Sequence, residues 1–259
     1  MTVEPLHVLA GALTGLVVGL TGVGGGALMT PLLLLWFGVS PQVAVGTDLW
    51  FAAVTKLAAT PIYHRKGLVD WMVLRRLWAG SLPASALTLT LLARRGLNEH
   101  VAAAITVMMG IAVCLTAIAL FLHDRVHAGG RQAPSRDGGH WQGPLTVVGG
   151  ATLGVLISLT SIGAGAVGAI VLARLYPTRM TPGRLVATDV VQAIPLAMFA
   201  AVGHTLIGSV DLALLAELLM GSIPAVLIGA RLSSRLPHQR LRFLLGTVLL
   251  LIGIRLLVT

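Results

Sequence analysis

Charge is scarce in this sequence: of 259 residues only 10% are Asp, Glu, Lys or Arg, and just nine are acidic. A soluble domain carries about 25% charged residues. Together with 56% hydrophobic residues, the shortage excludes an ordinary soluble fold and reads as a membrane protein. Cysteine is nearly missing as well. The lone Cys114, inside an apolar run, excludes a disulfide framework and a CxxC metal or redox pair, and reads as a small residue facing lipid or a neighbouring helix. Aromatic residues make up only 5% and do not interleave with the basic ones, so the net charge of +9 does not describe a nucleic-acid surface. Lys and Arg sit mostly in short loops, where they are a topology signal. The start, "MTVEPLHVLAGALTG", has neither a basic n-region nor an obvious cleavage site and reads as mature sequence. G-x-S-x-G, HExxH and clusters of His with carboxylates are missing too, so no enzyme chemistry, metal or cofactor is expected.

What is present is a series of apolar runs, near 6–21, 26–37, 44–63, 72–93, 99–122, 145–160, 164–175, 185–204, 212–230 and 241–258. They predict an all-α polytopic membrane protein. The polar stretch at 123–143, "HDRVHAGGRQAPSRDGGHWQG", is rich in Gly and charge and reads as a linker. It divides the chain into membrane repeats at 1–122 and 144–259.

The two sides of the linker resemble each other. "GLVVGLTGVGGGA" from Gly15 matches "GVLISLTSIGAGA" from Gly154, an offset of 139. After a two-residue insertion the offset becomes 141, pairing "VGTD" (45–48) with "VATD" (186–189), "GLVD" (67–70) with "GSVD" (208–211), and "GSLPA" (80–84) with "GSIPA" (221–225). Matches in one order at nearly one offset indicate a duplicated unit.

Lys and Arg decide how the copies are oriented. If 6–37 were one crossing, each half would have four spans, the repeats would be parallel, and the two faces would carry eight and nine basic residues, Lys56 apart. If instead each Gly-rich segment goes in and returns, each half has about five helical pieces and the second is inverted. One face then collects fourteen basic residues and the other keeps only Arg94, Arg95 and Arg255. That asymmetry fits the positive-inside rule, and predicts inverted repeats with both termini periplasmic and the linker cytoplasmic. The pieces around the glycines, about 16 and 12 residues, fall short of the roughly 20 needed to span. They favour re-entrant hairpins, although a locally thin bilayer would allow a full crossing.

A glycine run at membrane depth exposes backbone groups that lipid cannot satisfy, so it must be buried in protein or line a wet cavity. The helices resuming near Gly26 and Gly165 would aim free amides and a positive dipole end at that cavity, which favours an anion. In this reading Thr21, Gly22, Gly24, Gly25 and Gly26 line one side of the site, and Thr160, Ser161, Gly163 and Gly165 the other. The four-residue spacing of Gly11, Gly15 and Gly19, matched by Gly150, Gly154 and Ser158, reads as close helix packing.

Ionisable residues at membrane depth are costly and few. Asp48 and Asp189 occupy equivalent positions, with two readings open: helix N-caps, or coupling sites for a proton or cation such as Na+. Lys56, eight residues after Asp48, has the uncharged counterpart Ala197. It attracts a substrate anion, neutralises Asp48 from across a kink, or snorkels outward. Glu217 is a weaker coupling candidate, Asp70 and Asp211 read as caps, and Trp71, Trp78 and Trp141 read as interface anchors. Pro83 and Pro224 should kink their helices equivalently.

The segments "GLVVGLTGVGGGALMTPLLLL", "AVGTDLWFAAVTKL", "HRKGLVDW" and "GSLPA", with "SLTSIGAGAVG", "VATDVV", "GHTLIGSVD" and "GSIPA" in the second half, resemble the sulfite exporter TauE/SafE family, also called the 4-toluene sulfonate uptake permeases. The resemblance implies a bacterial inner-membrane carrier of sulfite, sulfonates or related organosulfur anions. Many members look more like "GTS" where this chain has Thr47-Asp48. The expected function is therefore a secondary transporter of a small sulfur oxyanion, with a passive anion channel or a non-transporting membrane subunit as the alternatives.

Overall fold

The computed structural model describes residues 4–21, 26–63, 69–96, 98–130, 141–163, 166–232 and 238–258. Among them the chain is all helix: α1 (Pro5–Thr21), α2 (Gly26–Leu35), α3 (Pro41–Tyr63), α4 (Trp71–Arg95), α5 (Glu99–Gly130), α6 (Gln142–Thr160), α7 (Ala166–Leu175), α8 (Pro182–Ile207), α9 (Leu212–Leu232) and α10 (His238–Val258). Each apolar run becomes one helix. Among the described residues, four stretches are long and apolar enough to cross a membrane: 99–122, 142–160, 183–207 and 212–232. By contrast, α2 and α7 have 10 residues each, which rise about 15 Å, half of a hydrocarbon core of about 30 Å. Helix α5 continues to Gly130, into the stretch read as linker.

Helix ends follow local chemistry. Asp70 caps α4 by accepting the Val73 N–H at 3.3 Å, and Asp211 accepts the Ala213 and Leu214 N–H groups at 3.0 Å ahead of α9, as expected of short polar side chains at N-caps. Helix α8 opens on Pro182 and stops at Gly208, whose φ of 80° is a conformation only glycine adopts at low cost.

The small-residue stripes are packing seams. A Cβ on Gly11 would overlap the Leu218 carbonyl, and one on Gly15 would meet the Ser222 Oγ at 2.6 Å, so α1 and α9 run parallel with backbones touching. The equivalent seam joins α6 to α4, where Gly150 lies on Leu77 and Gly154 on Ser81. With little side chain between them, these helices gain dispersion and backbone approach where lipid offers no hydrophobic drive. Gly253 rests against Cys114, whose Sγ would lie 2.6 Å from a Cβ there, so the cysteine faces a helix.

Equivalent helices of the two halves also meet each other. Gly46 of α3 abuts Ser209 and His204, while four residues on Trp50 donates to the Thr205 hydroxyl at 2.9 Å. Further along α3, Lys56 lies within electrostatic reach of Asp189 near the start of α8, so rising numbers in α3 match falling numbers in α8, and the pair is antiparallel. So are α5 and α10, with Gly110 beside Leu257 and Gly246 beside Phe121.

Candidate functional site

The repeated "TD" pairs build a lattice of contacts between the halves. Thr47 Oγ1 accepts the Asp211 N–H at 3.0 Å, and its counterpart Thr188 Oγ1 accepts the Asp70 N–H at 3.0 Å. Each threonine therefore holds the start of a helix from the opposite half and satisfies a buried donor that lipid would leave unpaired. The aspartate that follows turns inward. Both Asp48 and Asp189 lie in the second turn or beyond of their helices and are buried, which overturns the N-cap reading: the caps at these helix starts belong to earlier residues.

Asp48 receives a hydrogen bond from Thr30 Oγ1 of α2 through Oδ2. The Ser161 hydroxyl is the next polar group beside it. Neither Asp48 Oδ1 nor Ser161 Oγ completes a hydrogen bond among the described residues. Ser161 takes up a left-handed backbone, φ 58°, as the cap of α6, and Gly26, the first residue of α2, is pressed against its carbonyl so closely that a Cβ would overlap it. The start of α2 is thus brought against the end of α6. Thr160 is buried beneath them, its hydroxyl bonded to the Leu156 carbonyl at 2.6 Å and accepting the Ile162 N–H at 3.1 Å. It is committed to the turn, while Gly163, at φ 127°, supplies a conformation closed to other residues. Gly22, Gly24, Gly25 and Gly165 lie outside the described residues; the backbone of Thr21 ends α1.

Lys56 is only 8% exposed, so the snorkelling reading is corrected. It sits within electrostatic reach of Asp189 and Asp48 together. A lone buried ammonium is untenable in a low-dielectric interior, and two carboxylates nearby make it affordable. Asp189 Oδ1 lies against the backbone of Gly168 in α7, where an added Cβ would come within 2.6 Å. Lys56 thus links Asp48 and Asp189 in one buried ionisable centre, near where the start of α2 meets the cap of α6.

Other expected residues stand elsewhere. Glu217 pairs with His7 at 2.6 Å and accepts the Glu4 N–H at 3.3 Å, away from the centre. Trp71 and Trp141 are exposed, but Trp78 is half-buried and donates to the Gln192 carbonyl at 3.3 Å, so it joins helices instead of anchoring at the bilayer surface. Sequence reasoning passed over Thr30, hidden because threonine in an apolar run reads as neutral. It also passed over the Asp70–Arg179 pair, in which Arg179 Nη2 donates to Oδ1 at 3.1 Å. Burial works to raise the Asp70 carboxyl, but the Arg179 hydrogen bond, the Val73 N–H and the charges of Arg179 and Arg184 outweigh it and hold the group below the usual carboxylate range. His204, at the end of α8, is buried and bridges the Ser209 hydroxyl and the Ser158 carbonyl, each at 2.8 Å.

The model of the family described as Sulfite exporter TauE/SafE matches residues 7–256. The chain belongs to that family. It is 35% identical to a protein named "Probable membrane transporter protein YjnA" from Bacillus subtilis, over 96% of this chain and 98% of that protein. It is 26% identical to "Probable membrane transporter protein YunE" from the same organism, over 96% of each. No solved structure matches the chain significantly. This TauE/SafE protein is accordingly a multi-pass membrane transporter of a small molecule.

Proposed function

We propose that this TauE/SafE protein is a secondary transporter that exports a small sulfur-containing oxyanion, sulfite or an organosulfonate, by alternating access, with a proton or Na+ as coupling ion. The single observation that carries the reading is Lys56, a buried lysine within electrostatic reach of Asp48 and Asp189, near where the start of α2 meets the cap of α6. An arriving oxyanion competes with the carboxylates for the ammonium. Whichever carboxylate is released then takes up a proton or cation, which ties the two movements together. The start of α2 adds amides and dipole, the contribution ascribed above to Thr21, Gly22, Gly24, Gly25 and Gly26, with Thr160, Ser161, Gly163 and Gly165 on the other side.

The decisive measurement is counterflow in proteoliposomes, run with sulfite, thiosulfate, sulfoacetate and taurine in turn. Preloading the lumen with the transported anion should accelerate entry of its label. Entry indifferent to preloading would instead support a passive channel.

The same proposal places the protein in a bacterial inner membrane as inverted repeats of about five helical pieces, termini outside and linker inside. Its support is that equivalent helices, α3 with α8 and α5 with α10, pack antiparallel. With Cys114 replaced, single cysteines at Ser40 and Gly138 should label from opposite faces; labelling from one face would overturn the arrangement.

A further inference from the structure

Duplication makes each residue's counterpart its natural control, and two positions beside the charged centre break the symmetry together. In the N-terminal half, Met29 of α2 and Phe51 of α3 are both fully buried in one apolar cluster with Leu33, Ala44 and Leu218. At the offsets of 139 for α2 and 141 for α3, their counterparts are Gly168 and Gln192. The cluster's other counterparts, Leu172, Leu185 and Leu77, remain apolar and packed together. One half therefore fills the flank of its aspartate with hydrocarbon. The other puts a bare backbone and a primary amide there.

Gln192 is completely buried, and neither its amide nitrogen nor its amide oxygen has a hydrogen-bond partner among the described residues. An unsatisfied buried amide is expensive, and Phe51 shows that the fold accepts a hydrocarbon at this position. Gln192 lies one helical turn beyond Asp189, on the same side of α8, because three residues advance the helix about 300° and about 4.5 Å. Asp189 in turn rests on Gly168 and is within reach of Lys56. Thr30 and Ser161, which flank Asp48, have Ala169 and Gly22 as counterparts, so the hydroxyls at Asp48 have no equivalents at Asp189.

We propose that Gln192 is a substrate-contacting, selectivity-determining residue: its amide N–H donates to an oxygen of the bound oxyanion on the Asp189 side of the centre, where Lys56 supplies the positive charge. This rests on the oxyanion-transport reading above. The side chains around the two aspartates are unlike: Thr30, Met29 and Phe51 fill the Asp48 flank, while on the Asp189 flank Gln192 reads the ligand. The amide carbonyl, an acceptor, suits an oxyanion that also carries a donor, as hydrogensulfite or an aminosulfonate does.

The test compares Gln192→Leu with the wild type, using sulfite, thiosulfate, sulfoacetate and taurine as probes in thermal-shift titration and flux. A hydrogen bond to a charged group corresponds to about a tenfold to hundredfold change in affinity. The expected result is that loss in apparent affinity for the transported probe, with the ligand-free Tm unchanged or higher because an orphaned amide has been removed. A purely structural glutamine would do the opposite, lowering the ligand-free Tm and sparing affinity. Should Gln192→Leu not fold, Gln192→Met, unbranched and of similar length, gives the same reading. Wild-type response with unchanged affinity in the variant overturns the role of Gln192 alone. A wild type that neither binds nor moves any of the four anions overturns the transport reading and this assignment with it.

Discussion

Lys56→Met should lower flux at least about tenfold while leaving a protein that still inserts and folds, because substrate loses a charge-assisted bond of about 1.5–3 kcal/mol. The structural cost has a separate origin. Without the ammonium, Asp48 and Asp189 face each other's field inside the protein, and removing one partner of a buried ion group costs about 3–5 kcal/mol. Those two effects can be separated by a second change. In Lys56→Met with Asp189→Asn, one of the stranded carboxylates is neutral, so thermal stability should recover a substantial part of the loss while flux stays low. Lys56→Arg should rescue stability better than transport: the guanidinium keeps the charge but is larger, planar and unable to release a proton. Wild-type flux in Lys56→Met, measured by the counterflow assay, would remove Lys56 from the mechanism.

That prediction rests on a residue whose importance was visible in the sequence but whose state was not. A lysine inside "FAAVTKLAATPIY" with an alanine as its repeat counterpart is an asymmetry that composition alone exposes. Snorkelling and burial leave the same trace in one dimension, and only the packing of α3 against α8 and α9 distinguishes them. The helices were legible to within about three residues at their ends, α5 apart, since apolar runs bounded by Gly, Pro and charge leave few options at membrane depth. The glycine stripes were legible as packing, because four-residue spacing fixes a face. What the sequence could not carry was the identity of partners across the duplication. Thr47 and Thr188 hold the amides of Asp211 and Asp70, contacts between motifs that lie more than a hundred residues apart. Gln192 had a signal, an amide in an otherwise apolar stretch of α8, but one that matters only once Phe51 is known to fill the equivalent place.

The seams give the second large effect and use the duplication as an internal control. Gly80 of α4 is pressed against the Val147 carbonyl of α6, and its counterpart Gly221 of α9 against the Val8 carbonyl of α1, so that a Cβ at either position would overlap backbone. Backbone cannot rotate away as a side chain can, and the two helices must separate along the seam. Overpacking of this kind costs about 1–3 kcal/mol, and more where nothing yields. Gly80→Ala and Gly221→Ala should therefore each lower the thermal midpoint in detergent, and by similar amounts, because the seams repeat each other residue for residue. Gly143→Ala provides the contrast: the nearest atom to its added Cβ would be Arg76 Cζ at 3.6 Å, an ordinary contact with a flexible side chain, and its midpoint should stay at the wild-type value. Equal stability of all three variants with the wild type would show that α1 and α9, and α4 and α6, do not meet through their backbones. Loss at one seam alone would show that the halves, alike in sequence, bear load differently, as they do around their aspartates.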